Sequence, residues 1–239
     1  MNESTNERIN SMQFLKTRFQ IATFIALLFH ISGFIAIVFF KSQLFINLTP
    51  LNLLISFSLI LFTKEKINVP FLLFVVLAFF IGFGAEWIGV NTGKLFGQYQ
   101  YGTVLGPKWQ GVPWMIGVNW FCTIYCIGVA MNMLHKKLVN RQPDAAAALG
   151  NKWLQVSLIA DGAAIAVFFD WIIEPVAAKL GFWQWKNAVI PNFNYWSWFA
   201  VSVLLLVIFR LLRFDKHNLF AVHLLLIQMM FFLLLRSML

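Results

Sequence analysis

The chain has 239 residues, 60% of them hydrophobic and only 11% charged, with a mean hydropathy of +0.77. Soluble domains carry about 25% charged residues, so the composition excludes an ordinary water-soluble protein. A net charge of +9 does not make a nucleic-acid binder either, because no loop carries a dense basic run with interleaved aromatics.

A spanning helix needs roughly 20 mostly apolar residues. Seven runs meet that requirement: 19–40, 44–62, 69–90, 112–134, 153–175, 196–212 and 218–235. The expectation is an all-α, polytopic membrane helix bundle of about seven transmembrane helices, with 1–18 as a cytoplasmic N-terminal tail and 19–239 as a single transmembrane domain. The first run follows a mainly polar segment and lacks a small-residue cleavage site, so it is expected to stay as a helix and not to act as a signal peptide. Pro70 and Pro113 stand near the first turns of the third and fourth runs, where a missing N–H costs little.

The third run ends in "GAEWIGVNTGKLFGQYQYG", residues 84–102, which places the carboxyl of Glu86 at a membrane boundary. Gly89, Gly93, Gly97 and Gly102 are expected to let a loop turn back over the bundle. Cys122 and Cys126 in the fourth run lie four apart on one helix face with no second pair, which reads as packing and not as a metal site. "RQPDAAAALGNKW" is the main cytoplasmic loop. The fifth run carries Asp161, Asp170 and Glu174, followed by Pro175. That proline is expected to kink or end the helix and to free a backbone carbonyl toward a cavity. The last run has no lysine, which removes a retinal Schiff base.

Lys and Arg set the topology. Twelve fall on the side of the N-terminus and of the loops near 64, 141 and 213, against six on the other side. The positive-inside rule then puts the N-terminus in the cytoplasm and the C-terminus outside, with segments 91–111 and 176–195 facing outward. Trp87, Trp109, Trp114, Trp120, Trp171, Trp183, Trp185, Trp196 and Trp198 map to that outer half, and only Trp153 to the inner one. An interfacial belt predicts two-sided placement; one-sided placement points to an aromatic cavity.

Five of the nine acids, Glu3, Glu7, Glu65, Asp144 and Asp215, fall in the tail or cytoplasmic loops. Glu86, Asp161, Asp170 and Glu174 remain in or at the spans, where a charge costs about 2.5–3.5 kcal/mol and usually marks function. Asp170 and Glu174, four apart, share a helix face. Two carboxyls at close range in a dry site cannot easily both ionise, so one can stay protonated and act as acid while another acts as base. Asp161, nine residues before Asp170, turns to the opposite face and is the weaker candidate.

Other motifs fail. "GFGAEW" lacks the third glycine of a dinucleotide loop, and "NTGKL" lacks the first glycine and final hydroxyl residue of a P-loop. His30, His135, His217 and His223 form no metal-ligand cluster. "DWIIE" resembles the acidic box of membrane prenyltransferases, but no second box follows.

The ordered motifs "EWIGVNTGKLFGQYQYG", "GVPWMIGVNW", "DWIIEPVAAKLGFWQW" and "IPNFNYWSW", over roughly residues 80–200, resemble the membrane carotenoid 1,2-hydratase family. Glu174 stands before Pro175 where the family often has Asp, which keeps the carboxyl and lengthens its reach. The resemblance implies hydration of the terminal C1=C2 bond of an acyclic carotenoid, without cofactor or metal, in a bacterial or archaeal cytoplasmic membrane. Catalytic roles then fall to Glu86, Asp170 and Glu174, with Asp161 as a further candidate. Substrate contacts fall to Trp87, Tyr99, Tyr101, Trp114, Asn119, Trp171, Trp183, Trp185 and Asn194. The implied partners are the carotenoid, the lipid bilayer and other carotenoid biosynthesis enzymes; no nucleic acid is implied. Two alternatives stay open: a carotenoid end-group cyclase, which starts from the same protonation, and a small transporter or proton pathway using the same acids.

Overall fold

A computed structural model describes residues 3–141 and 151–239, so the greater part of the loop containing Asp144 lies outside the described residues. The chain forms α1 (Glu3–Val38), α2 (Gln43–Asn47), α3 (Thr49–Thr63) and α4 (Val69–Thr92). Three short strands follow, β1 (Tyr99–Tyr101), β2 (Lys108–Trp109) and β3 (Val112–Pro113), and then α5 (Met115–Arg141). The remainder is α6 (Asn151–Leu180), β4 (Trp183–Trp185), a 3-10 turn (Lys186–Ala188), α7 (Asn192–Leu211) and α8 (Leu219–Met238).

Among the described residues six helices are long and apolar enough to cross a membrane. The stretch 44–62, expected to form one span, is split at Leu48 into α2 and the 15-residue α3. At 1.5 Å per residue α3 covers about 22 Å, short of the roughly 30 Å hydrocarbon layer. Pro50 in the first turn of α3 accounts for the break, because it has no N–H to continue the helical ladder back to the Ile46 carbonyl, whereas a missing N–H costs little in the first turn of a new helix. Helix α1 begins at Glu3, so helix continues from the N-terminal segment into the apolar stretch Leu15–Val38.

Caps explain both ends of α4 and the start of α8. The side chain of Asn68 accepts the backbone N–H of Phe71 at 3.1 Å, and Pro70 occupies the first turn of α4. That helix ends on Gly93 in the left-handed region (φ 66°), whose N–H donates to the Gly89 carbonyl. Gly89 is therefore a buried helix residue and not part of the loop expected from the sequence. Asn218 caps α8 in the same way as Asn68 caps α4, and its amide also donates to Thr63 Oγ1 at 3.1 Å.

Helix α5 is the centre of the bundle. Residues Trp120–Val129 are buried on every face, as expected of a helix that is apolar all round. Helices α4 and α5 pack as one neighbouring pair and α6 and α7 as another, while α1 lies against α8. Polar contacts close one end of the bundle: Lys64 pairs with Asp215 at 3.3 Å, and Arg210 donates to Asn132 Oδ1 at 3.1 Å and to Gln155.

Pro175 neither ends α6 nor breaks it; the helix runs through to Leu180. A proline removes the N–H that would bond the carbonyl four residues earlier, here that of Trp171. This oxygen does not face a cavity as expected, because the guanidinium of Arg236 from α8 donates to it at 2.6 Å. A neighbouring helix thus satisfies the freed group, the condition under which an intramembrane proline is tolerated.

Candidate active site

Two three-residue segments, Tyr-Gln-Tyr and Trp-Gln-Trp, follow the two helices that carry the acids. They pair as an antiparallel ribbon, β1 with β4, in the register Tyr99 to Trp185, Gln100 to Gln184 and Tyr101 to Trp183. Alternation along a strand puts every second side chain on one face. The four aromatic residues therefore point into the bundle, and Gln100 and Gln184 are exposed on the far side. The ladder continues from Gly102 N–H to the Phe182 carbonyl at 2.8 Å, where a Cβ on Gly102 would collide with the Gly181 oxygen. Only glycine permits that approach.

Beneath the ribbon the aromatic donors converge on carboxylates. Glu86 Oε2 accepts the hydroxyls of Tyr99 at 2.5 Å and Tyr101 at 2.7 Å, and its Oε1 accepts the indole N–H of Trp120 at 3.0 Å. Glu174 Oε2 accepts the indole N–H groups of Trp183 at 3.0 Å and Trp185 at 2.6 Å. Among the described residues Asp170 Oδ2 accepts a single donor, the amide of Asn194, at 2.7 Å. All three acids are buried, and all three line one cavity of about 30 Å³, together with Asn119, Phe96 and Trp198. That is room on the order of one or two waters.

Local sequence explains how each acid is held. On α4, Gly82, Glu86 and Gly89 fall on one stripe, at spacings of four and three. A Cβ at Gly82 would collide with the Trp120 ring, and one at Gly89 would lie 2.8 Å from the Tyr99 hydroxyl. The two glycines thus seat the two rings whose donors reach the acid between them. Trp120 is fully buried and stacks on Trp198, ring centroids 4.1 Å apart. In the ribbon, burial holds the Tyr99 and Tyr101 hydroxyls well above the usual phenol range, and the Glu86 charge adds to it. Both therefore remain O–H donors.

The two sides of the cavity repeat one order of parts. A helix carrying a buried acid leads to an aromatic-Gln-aromatic strand, then to a proline and a returning helix that supplies an inward Asn and Trp. The first series is Glu86, β1, Pro113, Asn119 and Trp120; the second is Glu174, β4, Pro191, Asn194 and Trp198. The repeat emerges only when the two short segments are seen as paired strands.

Of the residues singled out from sequence, the structure brings Glu86, Asp170, Glu174, Tyr99, Tyr101, Asn119, Trp183, Trp185 and Asn194 around one cavity. It leaves four elsewhere. Asp161 is exposed on the outer face of α6. Trp87 donates to Gln110 at 2.5 Å and Trp114 stacks on Phe83 at 5.0 Å, both away from the acids. Trp171 is 43% exposed beneath the Arg236 guanidinium, 3.7 Å from its ring centre. The reason is shared by Trp87 and Trp171: each directly follows a buried acid, and one helical step turns the side chain by about 100°. Trp120 and Trp198 line or support the site and were not singled out as contacts; their only signal was the outer-half clustering of tryptophan. Among the described residues no group of three His, Cys, Asp or Glu side chains is placed to hold a metal ion.

A family model described as carotenoid biosynthesis protein matches residues 45–239. Over 130 residues the chain is 29% identical to a bisanhydrobacterioruberin hydratase of Haloarcula japonica, a match covering 52% of this chain. It spans 40% of the length of that relative. No solved structure matches the chain.

Proposed function

The chain belongs to the carotenoid biosynthesis protein family, and from that premise we propose that it adds water across the terminal C1=C2 double bond of an acyclic carotenoid end group. The observation that carries this reading is the unequal solvation of three carboxyls on one water-sized cavity. Among the described residues Glu86 has three protein donors and Glu174 two, whereas Asp170 has one. Donors favour the ionised form of a carboxyl, so Asp170 is the member that keeps a proton and Glu86 and Glu174 are the members that stay charged.

The reaction then balances with these groups alone. Asp170 delivers its proton to C2, the alkene electrons form the new C–H bond, and a tertiary cation develops at C1. The charged carboxylates and the faces of the surrounding tryptophans and tyrosines stabilise that cation. A water in the cavity attacks C1, and Glu86 or Glu174 takes the proton it releases. Proton return to Asp170 across the shared cavity resets the site. The product is a tertiary alcohol; no electron is gained or lost.

Expression in a host that makes lycopene tests the reading. The expected product is one water heavier per hydrated end, with its oxygen drawn from labelled water. A cyclised pigment of unchanged mass would replace hydration by the cyclase reading, and substrate flux across liposomes without any altered pigment would replace it by transport.

A further inference from the structure

The cavity beside the acids has room for little more than a water or a methyl-sized group, so the body of the hydrocarbon chain must lie elsewhere. A second cavity of about 360 Å³ abuts it, and Ile116, Asn119 and Trp183 belong to the walls of both. We propose that this larger cavity, walled by α1, α3, α5, α6 and α8, is the binding channel for the polyene chain. The chain enters sideways from the bilayer and its end group is presented to the acids past Asn119 and Trp183. The proposal rests on the hydration reading for the identity of the chain, and on geometry for the channel.

Three observations support it. First, the volume lies within the 300–1,000 Å³ typical of ligand pockets, and the walls are mainly Leu, Ile and Phe. Second, exposure falls along the cavity. Leu28 and Leu51, on α1 and α3, are 53% and 47% exposed, whereas Phe169 and Phe182 near the acids are 3% and 5% exposed. The open end therefore lies on the lipid-facing side of the bundle and the closed end at the ribbon. Third, the neck is polar on one side only. Among the described residues no group hydrogen-bonds the Asn119 side chain, which sits where the two cavities meet. An unpaired amide there is placed to hold the attacking water or the new hydroxyl, while Trp183 keeps its N–H on Glu174 and offers its ring to the chain.

Gly33 on α1 lines this cavity, and a Cβ built there meets only Phe231, at an ordinary 3.8 Å. That makes it the place to close the channel in a protein already folded. The experiment uses the full chain carrying Gly33→Cys, purified into lipid nanodiscs and alkylated with a bulky apolar maleimide; the native Cys122 and Cys126 are buried. Lycopene binding is read by induced circular dichroism of the polyene before and after alkylation, with wild type treated in parallel. We expect binding by the Gly33→Cys variant to fall at least tenfold on alkylation and wild type to be unaffected. Equal binding before and after would overturn the channel, as would hydration that proceeds unchanged in the alkylated variant. Loss of lycopene binding in a protein that never forms a hydrated product would leave the channel standing and remove the hydration reading instead.

Discussion

Tyr99 and Trp185 are cross-strand partners with ring centroids 5.0 Å apart, yet they serve different acids: the tyrosine donates to Glu86 and the tryptophan to Glu174. The ribbon therefore ties the two carboxylates together mechanically, although they come from different helices. Tyr99→Phe and Trp185→Phe should each lower product formation, and the double variant should lose less than the product of the two factors. Contacting residues in one network couple by about 0.5–3 kcal/mol. A double-mutant cycle on the initial rate measures it, and strict additivity would separate the two halves of the site.

The three carboxyls should not be equivalent. Removing the proposed proton donor by Asp170→Asn should cost on the order of 10²–10⁴ in rate. Glu86→Gln and Glu174→Gln should each cost less if either can accept the proton from water, and the pair together should match the loss at Asp170. Pigment analysis of the four strains checks this; full activity of Asp170→Asn would refute its assignment as acid.

Gly82 has no room for a methyl group, because Trp120 occupies the place a Cβ would take. Gly82→Ala should therefore push Trp120 off Glu86 and cost about 1–3 kcal/mol, the usual penalty of overpacking. Thermal unfolding in detergent, with activity read alongside, checks the size and the cause. A Gly84→Ala control should be mild, since nothing lies within 4 Å of a Cβ built there.

Arg236 compensates for Pro175, so its loss should be felt at the acids on either side of Trp171. Arg236→Leu should destabilise the protein by about 1–3 kcal/mol through an unsatisfied carbonyl and reduce turnover with it. Arg236→Lys retains a donor but not the planar stack on Trp171 and should fall between. In Pro175→Ala the carbonyl regains its helical partner, and Arg236→Leu on that background should be nearly silent. A full-sized effect there would disprove the compensation.

Tyr99 and Tyr101 are held in the protonated form by burial first and by Glu86 second. A folded-state value above the free value stabilises the fold below about pH 10, and that contribution is lost as pH rises beyond it, because the unfolded chain ionises first. Absorbance titration should show no phenolate from these two residues at about pH 10 while the protein is folded. The amplitude there should be unchanged in a Tyr99→Phe, Tyr101→Phe double variant.

Hydropathy, charge bias and the positions of the intramembrane acids were legible from the residues alone. Each depends on composition over one or two helical turns, and the helix is a local structure whose face is set by about 100° per residue. The same arithmetic that puts Asp170 and Glu174 together turns Trp171 away from them. The strands were not among the expected elements: the aromatic-Gln-aromatic alternation at 99–101 and 183–185 is a period of two, but three residues are too few to carry it and the neighbouring glycines speak first of turns.

What only the tertiary structure decided was which distant segments meet. Pairing of Tyr101 with Trp183, seating of Trp120 against Gly82, the Arg236 bond to the Trp171 carbonyl and the shared walls of the two cavities all join residues far apart in the chain. Such contacts are selected by packing and by the need to satisfy buried polar groups across the whole bundle, and no local window of the sequence contains both partners.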